Sequence, residues 1–199
     1  LLVAAQRNLN VGIDTLSLFE VGPIFKGDKP EDQISTISGL RLGSKVKRDW
    51  KNSSKEFDFY DVKLDVLKTL EVIGANINSL QTFENTSGYF HPGRSAVLKI
   101  GQTLIANVGE IHPEISDFYG LEKSILAFEI FYENIPIPKK VKVSRPMLKM
   151  SPLQSVTREF AFVIDETTPA EKLAQIAKST NKDLICLLYT SDAADDLLC

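Results

Sequence analysis

The sequence has 199 residues, 43% of them hydrophobic and 25% charged, which allows one large or two small folded domains with a sizeable core. No apolar run approaches the ~20 residues of a membrane-spanning helix. A formal net charge of −3 gives no electrostatic case for non-specific nucleic-acid binding by the whole chain.

The chain opens Leu1-Leu2-Val3 without an initiator Met, as a piece cut from something longer would. Leu1 to Leu9 reads as the end of a helix that stops near Asn10 and Gly12. Leu16 to Phe25 is a predicted strand in which Pro23 marks an edge or a bulge. Gly27-Asp28-Lys29-Pro30 is a turn cluster. Gln33 to Leu42 alternates in period two, the pattern of a half-buried antiparallel strand. Gly43 to Lys55 is polar and basic and reads as an exposed loop.

Phe59, Val62, Val66, Leu70 and Ile73 recur at steps of three or four and predict one buried helix face over 58–73. Asp58 can cap that helix and Gly74 can end it. Leu80 to Glu84 is a short strand, and Gly101-Gln102 between the apolar runs Ser95 to Ile100 and Thr103 to Val108 predicts a two-residue hairpin of type II′. A short helix over Pro113 to Tyr119, ended by Gly120, and a strand over Ile125 to Phe131 follow.

Composition then shifts. Ile135-Pro136-Ile137-Pro138 is an extended proline segment. Lys139, Lys140, Lys142, Arg145 and Lys149 come next with no acid among them, and a domain boundary is expected here. Glu159 to Asp165 is a predicted strand. Thr168-Pro169-Ala170-Glu171 is a capping box that opens a helix to about Ser179, with Leu173, Ile176 and Ala177 as its buried face. One strand and one helix close no core, so this second domain reads as incomplete. The last stretch, Cys186 to Cys199, resembles the translated read-through of a transposon-type sequencing adapter and is set apart from the fold. It holds both cysteines, three acids and no base, so the body 1–185 is electrically neutral and without cysteine. Disulfides, thiolate nucleophiles and Cys-based metal sites are thereby excluded from the body.

Few residues suggest chemistry. No G-x-G-x-x-G, P-loop or G-x-S-x-G pattern occurs. The two histidines, His91 and His112, each precede a proline. They are either an acid–base or metal-ligating pair or, more plainly, rings hydrogen-bonded within their own turns. Arg94, in a Pro-Gly-Arg-Ser turn, suits either an anion or an ion pair that fixes a loop. Asp58, Asp61 and Asp65 share one helix side, as a divalent-metal site would require or as acids at a helix N-terminus commonly do. The basic run 139–149 fits either a phosphate backbone or a solvated linker.

Five segments carry a resemblance. Leu18-Phe19-Glu20-Val21-Gly22-Pro23-Ile24-Phe25, preceded by Arg7-Asn8, is similar to the motif-2-like strand of the β-subunit family of bacterial phenylalanyl-tRNA synthetases. Phe57-Asp58-Phe59-Tyr60-Asp61-Val62-Lys63 resembles the D-F-[FY]-D-[LV]-K helix start of that family. His91-Pro92-Gly93-Arg94-Ser95-Ala96 and Gly109-Glu110-Ile111-His112-Pro113 resemble two further segments, in the same order. Ser151 to Asp165 resembles the opening of its anticodon-binding domain, with Glu159 where the family usually has Asp.

The resemblance implies an α+β chain. Residues 1–138 would be an N-terminally truncated catalytic-like module, a class II synthetase-like antiparallel sheet with helices. Residues 139–150 would be a basic linker, and 151–185 the truncated start of a ferredoxin-like anticodon-binding domain. Partners would be the catalytic α subunit of an α2β2 enzyme and tRNA, in the cytoplasm. ATP and Mg would serve the holoenzyme, with none expected on this fragment. Editing and metal-associated segments would lie upstream, and class II motif 3 is missing. No catalytic or metal residue is carried over. Lys139, Lys140, Lys142, Arg145, Lys149 and Arg158 are the candidate tRNA contacts, and His91 and Arg94 candidate loop-fixing residues. A stand-alone RNA-binding protein on the same modules, or an unrelated enzyme, are the competing readings.

Overall fold

Leu16–Phe25 (β1) and Gln33–Leu42 (β2) pair antiparallel without interruption, from Leu16 opposite Leu42 to Phe25 opposite Gln33. This computed structural model describes residues 1–46, 49–51, 53–84, 88–136, 154–165, 168, 170–181, 184–185 and 188. It divides into two compact units, Leu1–Val143 and Ser144–Cys199. No helix among the described residues is long and apolar enough to cross a membrane.

The first unit is a six-stranded antiparallel sheet. Its other strands are Leu80–Phe83 (β5), Phe90–Ile100 (β6), Thr103–Ile111 (β7) and Ile125–Phe131 (β8). Their order is β1-β2-β8-β7-β6-β5, so β8 inserts between two local hairpins. Pro23, which has no N–H to give a ladder, lies on the edge strand β1. Ser44–Val46 (β3) and Lys55–Glu56 (β4) form a separate two-stranded ribbon where the sequence predicted a loop.

Alternation along β8 separates two apolar layers. Leu126, Phe128 and Ile130 face one side and Ile125 and Ala127 the other. The helix Phe59–Ile73 (α2) covers the first side with Val62, Val66 and Leu70, all fully buried against Ala106, Val108 and Ile130. Both its ends follow the predicted chemistry. Asp58 accepts from the N–H groups of Tyr60 and Asp61, and Gly74 adopts the left-handed cap at φ +89°. The predicted stripe is too long by one residue, for Ile73 is 45% exposed, and Phe59 is only half-buried. Helical periodicity gives a direction, and Ile73 in the last turn has the direction without cover.

The helices Leu2–Asn10 (α1) and Pro113–Phe118 (α3) cover the opposite side, where Ala5, Leu40, Leu42, Phe90, Ile111 and Ile125 form the second cluster. Two-residue closure at Gly101-Gln102 brings Ile100 opposite Thr103, with Gly101 at φ +62°. Strand β6 begins five residues earlier than predicted. It runs through a register shift between Phe90 and Ser95 that contains His91-Pro92-Gly93-Arg94.

In the second unit the described residues hold one helix, Ala170–Thr180 (α4), close to its predicted span. The strand predicted over Glu159 to Asp165 is not formed: the described residues 154–165 are irregular. An apolar segment becomes a strand only when a neighbour exchanges N–H···O=C bonds with it, and no such neighbour occurs among the described residues. Phe160 and Phe162 instead stack on each other at 6.3 Å between ring centres. The side chain of Ile176, predicted buried, is 55% exposed. The basic run 139–149 lies outside the described residues. So does the tail 186–199, apart from Leu188.

Candidate functional site

Of the charged residues singled out by sequence, those among the described residues of the first unit, Asp58, Asp61, Asp65, His91, Arg94 and His112, are gathered at two places. At the first, the N-terminus of α2 meets β2 and the ribbon. Asp58 takes the capping position, and its own N–H is accepted by Asp61 Oδ2 at 3.1 Å. The Lys45 ammonium of β3 pairs with the Asp61 carboxylate. Burial alone would push the Asp61 carboxyl up, but the Lys45 hydrogen bond and the Asp58 N–H outweigh it and hold the group below the usual range.

One turn further on, Arg41 clamps Asp65 with two bonds, Nε to Oδ2 at 2.6 Å and Nη2 to Oδ1 at 2.9 Å. Its Nη1 also donates to Ser17 Oγ at 3.2 Å, and the guanidinium stacks over the Phe57 ring at 5.0 Å. The Asp65 hydrogen bond raises the Arg41 pKa beyond its already high ordinary value. The three helix acids are therefore committed to a cap, a lysine and an arginine. That donor set does not fit a magnesium–nucleotide complex. Among the described residues no group of three or more His, Cys, Asp or Glu is placed to hold a metal.

The second place is the bulged start of β6. His91 Nδ1 accepts from the Gly93 N–H at 3.1 Å, and the Ser95 hydroxyl donates to the His91 carbonyl. Arg94 Nε reaches Glu110 Oε2 of β7 at 2.6 Å. His112 caps α3, its Nδ1 accepting from the Glu114 N–H at 3.3 Å, while its own N–H donates to the Tyr89 carbonyl at 2.9 Å. The two histidines stand on either side of the Phe90–Ile111 strand pair, each with Nδ1 engaged by a backbone N–H two residues on.

Sequence reasoning placed the acids on one side of α2 but did not find Arg41, 24 residues from Asp65 along the chain. It also missed the Tyr89 hydroxyl on the Glu129 carboxylate. Both are contacts between elements, which no local spacing encodes. Adjacent signals did exist for the Arg94–Glu110 pair, since the His-Pro-Gly-Arg and Gly-Glu-Ile-His segments both stand out in the sequence.

Unlike those paired charges, other side chains are left at the surface. On β1, Phe19, Val21 and Phe25 share one side by alternation and are all exposed. Trp50, between β3 and β4, is 95% exposed. In the second unit Arg158 is exposed.

Residues 1–132 match the family model described as the phenylalanyl tRNA synthetase beta chain CLM domain. The chain is 38% identical over 186 residues to the phenylalanine–tRNA ligase beta subunit of Rhodospirillum rubrum, covering 93% of this chain and 23% of that protein. It is 37% identical over 203 residues to that of Bartonella quintana, covering 99% and 25%. A solved pyrrolysyl tRNA synthetase of Desulfitobacterium hafniense overlaps 66% of the chain and 45% of its own, with a TM-score of 0.48 and 14% identity, a likeness too slight to add to the assignment. The chain spans about a quarter of the length of the curated relatives it matches. With the family model covering most of its first unit, the chain belongs to the phenylalanyl-tRNA synthetase β-chain family.

Proposed function

We propose that this chain is a scaffolding part of a phenylalanine–tRNA ligase β subunit and does not itself perform the ligase chemistry. The whole enzyme is read as a cytoplasmic α2β2 assembly that attaches phenylalanine to its tRNA with ATP and Mg, the nucleotide and metal being held by the α subunit. Residues 1–138 are read as the catalytic-like module, with a class II synthetase-like sheet. Residues 139–150 are read as a linker, 151–185 as the start of a ferredoxin-like anticodon-binding domain, and 186–199 as foreign to the protein. Lys139, Lys140, Lys142, Arg145, Lys149 and Arg158 are assigned to tRNA, and His91 and Arg94 to fixing the β6 bulge.

One observation carries the reading. Across the segment that matches the β-chain domain, the charged side chains best placed for chemistry are spent on architecture: Asp58 on a cap, Asp65 on Arg41, Glu110 on Arg94. Such pairs hold elements together, and these three carboxylates serve them instead of standing poised as acid, base or metal ligand.

The test is aminoacylation of phenylalanine tRNA with α alone, the completed β subunit alone, and the two together. Only the pair should form the aminoacyl product. Activity in β alone would overturn the scaffold reading, and inactivity of a well-folded pair would overturn the assigned function.

A further inference from the structure

The β3–β4 ribbon combines three features. Its first is charge. Residues 44–55 contain Lys45, Lys47, Arg48, Lys51 and Lys55 against the single acid Asp49, in a chain whose formal net charge is −3. Its second is an aromatic platform: Trp50, the chain's single tryptophan, is 95% exposed, which wastes a large apolar ring unless something covers it. The third is anchorage. Ser44 N–H donates to Thr15 Oγ1 at 3.3 Å, Phe57 N–H donates to the Gly43 carbonyl at 3.2 Å, and Lys45 is pinned by Asp61 at the start of α2. Beside Trp50, Asp49 Oδ1 accepts the Lys51 N–H at 2.7 Å in a tight side-chain turn.

We propose that this ribbon is an RNA-binding site in which Trp50 stacks on an unpaired base while Lys51 and Lys55 contact the adjoining phosphates. A flat ring accepts any base face, and exposed lysines follow a backbone without reading sequence, so the site recognises single-stranded or looped-out nucleotides and not a paired duplex. The charge argues for a polyanion over a protein surface, since lysine is depleted where protein interfaces are fully buried. The proposal deepens the ligase reading, because RNA is the partner that reading supplies. It is testable on its own.

Because the chain has one tryptophan, its emission reports on this site alone. The 199-residue chain is titrated with a phenylalanine tRNA transcript, a short oligouridylate, a fully paired RNA duplex and poly-glutamate. Saturable quenching by the two RNAs with unpaired bases is expected, weaker with duplex and absent with poly-glutamate. Labelled oligouridylate should bind the Trp50→Ala chain at least about fivefold more weakly, with Trp50→Phe recovering most of the loss. Lys51→Gln with Lys55→Gln should flatten the dependence of affinity on salt, by up to about 0.7 of a logarithmic unit per phosphate contact removed. Quenching by poly-glutamate but not RNA would overturn the proposal in favour of a protein partner. Equal binding by Trp50→Ala and the parent would overturn it outright. The same Trp50→Ala comparison, made on tRNA affinity of the completed β subunit assembled with α, decides the matter if the shorter chain does not fold. Aminoacylation by the pair is scored separately, so loss of the ligase reading and loss of this site are different results.

Discussion

Arg41 ties together β1, β2, α2 and the segment entering α2, through Ser17, its own strand, Asp65 and Phe57. The Arg41 and Asp65 side chains are 29% and 27% exposed, between the surface pairs that contribute almost nothing and the buried pairs whose desolvation cancels their attraction. Arg41→Ala and Asp65→Ala should each cost about 1–3 kcal/mol in urea unfolding. The double variant should lose less than the sum, with a coupling of about 1 kcal/mol. Zero coupling would mean that the two groups are solvated independently. Asp61 adds a dependence on pH. Its folded pKa lies below the ordinary value of about 3.9, so the stability it contributes is fully present above that value. That stability is lost as pH falls through the lower folded pKa. Asp61→Asn should therefore lower stability at neutral pH and flatten the acid limb of the stability curve. An acid limb of unchanged steepness in the variant would rule out this pairing as its source.

At the scale of elements, α2 separates what a sequence states from what packing decides. Leu70→Ala should cost about 2–5 kcal/mol, because Leu70 is fully buried in the first cluster. Ile73→Ala should stay within about 1 kcal/mol, although both residues belong to the same periodic stripe. Chemical denaturation of the two variants side by side checks the difference. The bounds of β1, β2 and β8, and both caps of α2, were legible because turn residues, period-two runs and Asx or Gly caps are local signals. The β6 bulge was not, because Pro92 and Gly93 read as a turn and only pairing with β7 carries the strand through them. The strand predicted over Glu159 to Asp165 failed for the complementary reason: its pattern was present and no partner strand occurs among the described residues. The candidate site was legible as a set of residues but not as a set of pairs. Asp65 could be placed on a helix face, while Arg41 had to be brought to it by the sheet.

For the whole molecule, the two units call for different tests. The first is a packed sheet with helices on both sides, and its proposed role in assembly is read by aminoacylation with α. The proposed role of the basic run that follows is read by salt. If Lys139, Lys140 and Lys142 guide tRNA, replacing all three with Gln should weaken tRNA binding by the completed enzyme. The slope of log affinity against log salt should also fall, by up to about one unit per phosphate contact removed. An unchanged slope would make the run a solvated connection.

The strand order also sets a schedule for synthesis. Leu42 of β2 pairs with Ile125 of β8, about eighty residues later, while the β1–β2 and β6–β7 hairpins each close locally. At the ribosome's rate of roughly 5–20 residues per second, one edge of the first hairpin waits about 4–16 s for its neighbour to emerge. During that interval an open strand edge flanked by Leu40 and Leu42 is exposed to every other nascent chain, and closing so long a loop is the step that contact order makes slow. Shielding the β2 edge while β8 is still being made should therefore raise the yield of folded protein, and slowing translation between the two strands should lower it.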